Sequence, residues 1–123
     1  PLIGGALLLL CAAGGPAFRP RDVWPATWCS PSASMFMLDR ARILAKLEQE
    51  PGRHVVIVRY SATHQAGLDW VYNRADIDGS KVIWARDMGQ EQNAELIRYF
   101  QGRRVWLMEP DLTPPRLSLY PAD

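Results

Sequence analysis

The chain has 123 residues, a length that allows one small domain. Apolar residues make up 48% and charged residues 22%, a globular composition that argues against extended disorder. The 14 Lys and Arg are balanced by 13 Asp and Glu, so no strong positive field attracts nucleic acid and we exclude a DNA- or RNA-binding role.

Residues 2–13 contain no charge and are rich in Leu. As a helix they would extend about 18 Å, less than the roughly 30 Å hydrocarbon core of a bilayer. Three interpretations remain open: the end of a transmembrane helix cut at Pro1, a signal-peptide core without its basic region, or a buried soluble helix. We expect residues 1–15 to end a transmembrane helix, and the native protein to continue before Pro1 with further membrane helices.

Residues 16–34 are predicted to form a linker, because four prolines disfavour a regular helix or a central strand. Trp24 and Trp28 lie in it, either as anchors at a membrane interface or as lids folded onto the domain. Cys11 and Cys29 form no C-x-x-C motif, and a disulfide between them requires a compartment outside the cytoplasm. No convincing metal-ligand set can be assembled, so we expect no metal and no cofactor.

Residues 35–123 are predicted to form the folded domain, which begins with a helix over 35–50. Its inward face is predicted from apolar residues at helical spacing, with Ser34 as its cap. Met35, Phe36 and Met37 are expected to lie in the core, and Pro51-Gly52 ends the helix. The predicted inward residues are Leu38, Ala41, Leu44, Ala45 and Leu47.

Three apolar runs without alternation predict strands that are covered on both faces. They span residues 54–60, 81–86 and 104–109. Helical spacing predicts a short helix over 67–75 and another over 90–101, the latter capped by Asp87.

Alternating strands and helices predict a parallel sheet, with 81–86 as the central strand and an edge strand over 117–120. The expected fold class is α/β: a small three-layer domain with a short, mainly parallel, Rossmann-like sheet, preceded by the apolar N-terminal segment.

One motif, Asp76-Ile77-Asp78-Gly79-Ser80, resembles the D-x-D-G-T of haloacid-dehalogenase-like phosphatases. That resemblance implies a small magnesium-dependent phosphatase or hydrolase as an alternative function, using Asp76 and Asp78. However, no apolar strand directly precedes the motif, and the later motifs of that family are not evident. The competing interpretation is a capped turn that enters the strand over 81–86, because Asp and Gly favour turns.

A second set of polar residues lies at the carboxyl ends of the three predicted parallel strands, with His64 and Asn73 in nearby connections. Ligands of open α/β sheets bind just outside this edge. Arginine suits carboxylate or phosphate oxygens, so the set predicts a site for an anionic sugar or a lipid-phosphate head group. The alternative is that these charges only pair with each other. The candidate ligand-binding residues are Arg59, Tyr60, His64, Asn73, Arg86, Asp87, Glu109 and Asp111. No residue is predicted to be catalytic.

Four blocks together resemble a known family: GRHVVIVRY (52–60), WVYNRADID (70–78), VIWAR (82–86) and RVWLMEPD (104–111). The chain resembles, over about residues 28–111, the carboxyl-terminal soluble domain of multi-spanning bacterial membrane proteins. Those proteins are similar to lipid-linked-sugar glycosyltransferases of the protein-mannosyltransferase type.

The resemblance implies that residues 2–13 end the last membrane helix and that the domain is periplasmic. In such enzymes the catalytic acid lies in an early loop among the membrane helices. The chain is therefore expected to be a non-catalytic accessory domain, for binding or assembly, attached to the membrane through its N-terminal segment. The sequence indicates no oligomeric state.

Overall fold

The computed structural model describes residues 31–121, with only the backbone described for residues 31–33. The predictions for the apolar start, most of the linker, both cysteines, Trp24 and Trp28 lie outside this range. The described elements are α1 (Pro31–Gln49), β1 (His54–Val58), β2 (Val82–Arg86), α2 (Gln90–Tyr99), β3 (Arg104–Glu109) and β4 (Arg116–Leu119).

The strands form one sheet in the order β2-β1-β3-β4. β1 pairs in parallel with β2 and with β3, while β4 pairs antiparallel to β3. The predicted α/β fold with a mainly parallel sheet is therefore confirmed, as is the edge strand near the C-terminal end. The prediction of a central strand over 81–86 is wrong, because α2 carries the chain across β1 and leaves β2 at the edge.

The core lies on both faces of β1, since alternate residues of a strand point to opposite faces. On one face Val56 and Val58 pack with Leu47 of α1 and with Trp70. On the other, Val55 lies in register with Val105 of β3, beside α2. Two helical layers thus enclose the sheet, and this explains why the strands read as continuous apolar runs.

The inward face of α1 matches the predicted one at Leu44 and Leu47 but not at Leu38, Ala41 and Ala45. Phe36, Ile43, Leu44 and Leu47 face the core, whereas Leu38, Met35 and Met37 are exposed, as are Ala41 and Ala45. Arg40 lies towards the loop between β1 and β2 and donates hydrogen bonds to its backbone. The helix also begins at Pro31, so Ser34 lies within it and does not cap it.

Residues 67–75 form no helix, so the predicted crossover helix is wrong. Side chains satisfy the loop backbone instead: Arg40 donates to the carbonyls of Trp70 (2.9 Å) and Tyr72 (3.0 Å). Its guanidinium also lies 5.0 Å from the ring centroid of Trp84. Burial lowers the pKa of Arg40.

The predicted cap of α2 is also corrected. The N-cap residue is Gly89, with φ 95°, a backbone conformation that glycine adopts without strain. Asp87 lies before it and contacts residues around the sheet end. Neither of the helices in the described range is both long and apolar enough to cross a membrane.

Candidate functional site

The carboxyl ends of β1, β2 and β3 bring most of the predicted site residues together. Two main-chain bonds continue the sheet beyond the strands, from Asp87 N to Val58 O and from Arg59 N to Met108 O, each 2.8 Å. The positions after each strand are thereby held side by side. The candidate residues at this edge are Arg59, Tyr60, His64, Arg86, Asp87, Glu109 and Asp111.

Asp87 is the centre of the first polar cluster. Its Oδ2 accepts a hydrogen bond from Arg59 Nε at 2.5 Å. Its Oδ1 accepts from the amide of Gly89 (3.1 Å) and from Asn93 Nδ2 (2.7 Å). Burial alone would raise the pKa of Asp87, but the hydrogen bonds from Arg59 and Asn93 outweigh it and lower that pKa.

Asn93 connects this cluster to the end of the domain. It is only 2% exposed on α2, and its Oδ1 accepts the amide hydrogen of Met88 at 3.1 Å. Its Nδ2 also lies 3.0 Å from the hydroxyl oxygen of Tyr120. This buried amide therefore binds the loop before α2 to the segment after β4.

Tyr60 and Asp69 form the second cluster, which holds the crossover loop. The Tyr60 hydroxyl donates to Asp69 Oδ1 and accepts the amide hydrogen of Trp70 at 2.8 Å. The same Asp69 oxygen accepts from the amide of Val71 at 3.0 Å. Arg86 closes the cluster, with Nη2 3.3 Å from Asp69 Oδ2 and its guanidinium 5.1 Å from the Tyr60 ring centroid.

The electrostatics of this second cluster follow from those contacts. Burial, with the hydrogen bond to Asp69, raises the pKa of Tyr60 to about 12. Burial would also raise the pKa of Asp69, but hydrogen bonds from Tyr60 and Val71, and the charge of Arg86, lower it overall. A neutral phenol and an ionised carboxylate are thus the stable pair at neutral pH.

His64 and Asp111 form the third cluster. His64 Nδ1 lies 2.7 Å from Asp111 Oδ1, and the amide of Ser61 donates to Asp111 Oδ2 at 2.7 Å. Burial alone would raise the pKa of Asp111, but the hydrogen bonds with His64 and the Ser61 amide outweigh it and lower that pKa. An Asp that orients a His also occurs in hydrolases, but here the Ser61 hydroxyl is bonded to Thr63 at 3.1 Å.

Glu109 of β3 forms a salt bridge with Arg116 of the neighbouring strand β4. Its Oε2 accepts from Arg116 Nε at 2.8 Å and from Arg116 Nη2 at 2.5 Å. Glu109 and Arg116 are register partners of β3 and β4. This contact therefore stabilises strand pairing at the edge of the site.

Asn73 does not join the strand ends, which corrects its predicted position. Its Oδ1 accepts the amide hydrogen of Trp84 and its Nδ2 donates to the carbonyl of Trp84, both at 2.8 Å. Trp84 is the middle residue of β2. The Asn73 side chain therefore occupies the backbone groups that the outer edge of β2 would otherwise leave unpaired.

Asp76 and Asp78 lie away from the strand-end residues. Asp76 Oδ1 accepts the amide hydrogen of Gly79 at 2.9 Å, in a turn before β2. The carbonyl of Asp78 accepts from Arg103 Nη2 at 2.7 Å, next to the start of β3. The competing interpretation of this motif, a capped turn, describes what these residues do here.

Sequence reasoning missed Arg40, Asp69, Asn93 and Tyr120 as partners of the site. The available signal was weak: Asn93 is a polar residue on the inward face of α2, and Asp69 stands beside the core residue Trp70. Neither pattern specifies a partner. Tertiary contacts, which local sequence patterns do not specify, determine their roles.

Two cavities open at these clusters. One of about 260 Å³ is lined by Arg59, Asp87 and Asn93, and one of about 140 Å³ lies among Arg59, Tyr60 and Asp111. Both are below the roughly 300 Å³ typical of small-molecule sites. Within the described residues, no group of three or more His, Cys, Asp or Glu side chains is placed to hold a metal ion.

Comparison with known proteins gives no assignment. No family model, no curated protein and no solved structure matches this chain.

Proposed function

We propose that this chain is a non-catalytic accessory domain of a bacterial membrane glycosyltransferase, positioned on the periplasmic side. In this role the domain binds or supports the rest of the enzyme, and the chemistry takes place among the membrane helices. The proposal joins the sequence resemblance over residues 28–111 to the uncharged start at residues 2–13.

The observation that supports the non-catalytic role is the mutual pairing of the strand-end side chains. Asp87 is bonded to Arg59 and Asn93, and Asp69 to Tyr60 and Arg86. An active site needs an acid, base or nucleophile that is positioned to meet a substrate. These groups instead meet each other and the backbone of the crossover loop, so the geometry favours a structural network.

The structure provides no observation in favour of the phosphatase alternative. An aspartyl nucleophile must present a carboxylate oxygen to the phosphorus atom. The Asp76 carboxylate faces Gly79 closely, and a Cβ added at that glycine would lie 2.1 Å from Asp76 Oδ2. The carboxylate thus packs against its own turn.

The proposal is tested on the complete membrane protein encoded by the gene that contains this chain. Its upstream coding sequence should specify several membrane-spanning helices. The purified protein in proteoliposomes should transfer sugar from a lipid-linked donor, whereas residues 1–123 alone should show no transfer and no hydrolysis of phosphate esters.

A variant of the complete protein that lacks residues 35–123 should retain the catalytic acid. It should transfer sugar more slowly or bind its partner less well. As a control, the separately purified chain is added to the truncated protein. Recovery of sugar transfer would show that the loss comes from the missing domain and not from damage to the membrane part. Turnover by the chain alone, abolished by Asp76→Asn, would overturn the proposal in favour of a phosphatase. An upstream sequence without membrane helices would overturn its membrane part.

A further inference from the structure

A groove separates α2 from the ends of β3 and β4 on the face of the sheet opposite α1. Its volume is about 370 Å³, within the range of small-molecule sites. Its walls are predominantly apolar. The lining residues are Gln90, Ala94, Ile97, Arg98, Val105, Tyr120 and Pro121.

The groove exists because α2 is short and crosses over only part of this face. The helix spans Gln90–Tyr99, and Val105, which lines the groove with Ala94 and Ile97, is only partly buried. Tyr120 and Pro121 follow β4 and form the opposite wall. A row of apolar surface is thus left open between α2 and the segment of Tyr120 and Pro121, which suits a single extended apolar chain.

One cation lies at this groove without a carboxylate partner. Arg98 is exposed, and its Nε contacts only the carbonyl of Ala94, at 3.4 Å, among the described residues. Glu91 and Glu95 lie on the same helix but do not line the groove. The fork of an arginine matches the two oxygens of a carboxylate, so the charge of the groove favours an anionic ligand.

We propose that this groove binds a single-chain amphiphile with a carboxylate end, of the fatty-acid class. The apolar chain lies between Ala94, Ile97 and Val105, and the carboxylate meets Arg98. The groove adjoins the first strand-end cluster through Tyr120, which contacts Asn93, but Ala94, Ile97, Val105 and Arg98 are not members of that cluster. It does not rest on the proposed glycosyltransferase role and can fail or hold independently of it.

In the test, the 123-residue chain is titrated with decanoate below its micelle concentration, and binding is measured by isothermal titration calorimetry. Decanoate should bind with one-to-one stoichiometry. Decanol and decyltrimethylammonium, which have the same chain length, should bind at least about tenfold more weakly if the arginine contact is worth a charged hydrogen bond.

Two variants locate the site. Ala94→Phe places an aromatic ring in the groove from an exposed helix position, so it should abolish decanoate binding without loss of folding. Arg98→Gln should weaken decanoate about tenfold and leave decanol unchanged. Arg74→Gln is the matched control, since the Arg74 side chain is 83% exposed on another part of the surface and should bind as wild type does.

The proposal is overturned if decanoate fails to bind or binds only above its micelle concentration. It is also overturned if decanol binds equally well, or if neither Ala94→Phe nor Arg98→Gln changes the affinity. Sedimentation of the free chain provides a further criterion. A dimer that Ala94→Phe dissociates would show that a second copy occupies the groove and would overturn the ligand proposal.

Discussion

At the scale of single residues, Tyr60 shows how one side chain holds an irregular segment against the sheet. Its hydroxyl donates to Asp69 and accepts from the amide of Trp70. Trp70 is fully buried in the core, so this hydroxyl connects the end of β1 to the main apolar anchor of the loop.

Tyr60→Phe should lower the free energy of unfolding by about 1–3 kcal/mol, because a partly buried amide and carboxylate lose their shared partner. The measurement is urea denaturation of the chain. Tyr72→Phe is the control, since Tyr72 is 58% exposed, and it should change stability little. Equal stability of both variants would show that the Tyr60 hydroxyl does not hold the loop.

Three carboxyl groups predict how stability depends on pH. The pKa values of Asp69, Asp87 and Asp111 are all lowered in the folded chain. The unfolded chain then binds protons more readily than the folded one. The stability contributed by these groups is therefore fully present above the unfolded pKa of about 4 and is lost as the pH falls through the lower folded values.

The free energy of unfolding should thus decrease as the pH is lowered from 7 to 3. Asp87→Asn removes one of the three groups, so its stability should decrease less over the same interval. Urea midpoints measured across this range provide the test. Curves that run parallel for wild type and Asp87→Asn would contradict the assignment of Asp87 as a contributor.

At the scale of elements, the edge of β2 is the least expected feature. A sheet edge leaves backbone groups unpaired and invites association. Asn73 occupies both main-chain groups of Trp84, each at 2.8 Å. A single side chain from an irregular loop thus does at this point what a neighbouring strand would do.

Asn73→Ala should therefore raise the hydrogen-exchange rate of the Trp84 amide and lower stability by about 1 kcal/mol, the net value of a typical hydrogen bond. Arg74→Ala is the adjacent control, because its side chain is 83% exposed. Unchanged protection of the Trp84 amide in Asn73→Ala would show that the edge is closed in another way.

These elements also show what the sequence predicts and what it does not. The apolar runs around Val56, Ile83 and Leu107 predict buried parallel strands, because a strand covered on both faces needs no polar alternation. The spacing of Leu68, Val71 and Tyr72 predicts a helix equally well on local grounds. It fails because Arg40 and Tyr60 satisfy the loop backbone from outside the loop, and because Asn73 bonds the loop to β2. Periodicity cannot indicate such contacts.

For the candidate site, too, the sequence predicts one part and not the other. The convergence of Arg59, Asp87 and Asp111 follows from parallel topology, because the carboxyl ends of parallel strands meet at one edge. Their partners do not follow from it. Asn93 lies six positions after Asp87 and bonds to it only because α2 begins directly at this edge.

At the scale of the whole molecule, the topology concentrates charge where α/β enzymes bind ligands and then pairs that charge internally. β1 lies between two parallel neighbours, so the residue after it, Arg59, reaches Asp87 beyond β2. Within the described range, this sheet end unites α2, the crossover loop and the segment after β4. Our central claim is that these contacts support the fold, which suits the proposed accessory role.

The most direct test compares stability and activity in Asp87→Asn. Urea denaturation of the chain should show a loss of about 1–3 kcal/mol, because Arg59 and Asn93 lose a charged partner. Under the proposed function, the same substitution in the complete protein should leave sugar transfer per folded molecule unchanged. Unaltered stability together with a large loss of transfer per folded molecule would contradict the claim and place Asp87 in a working site.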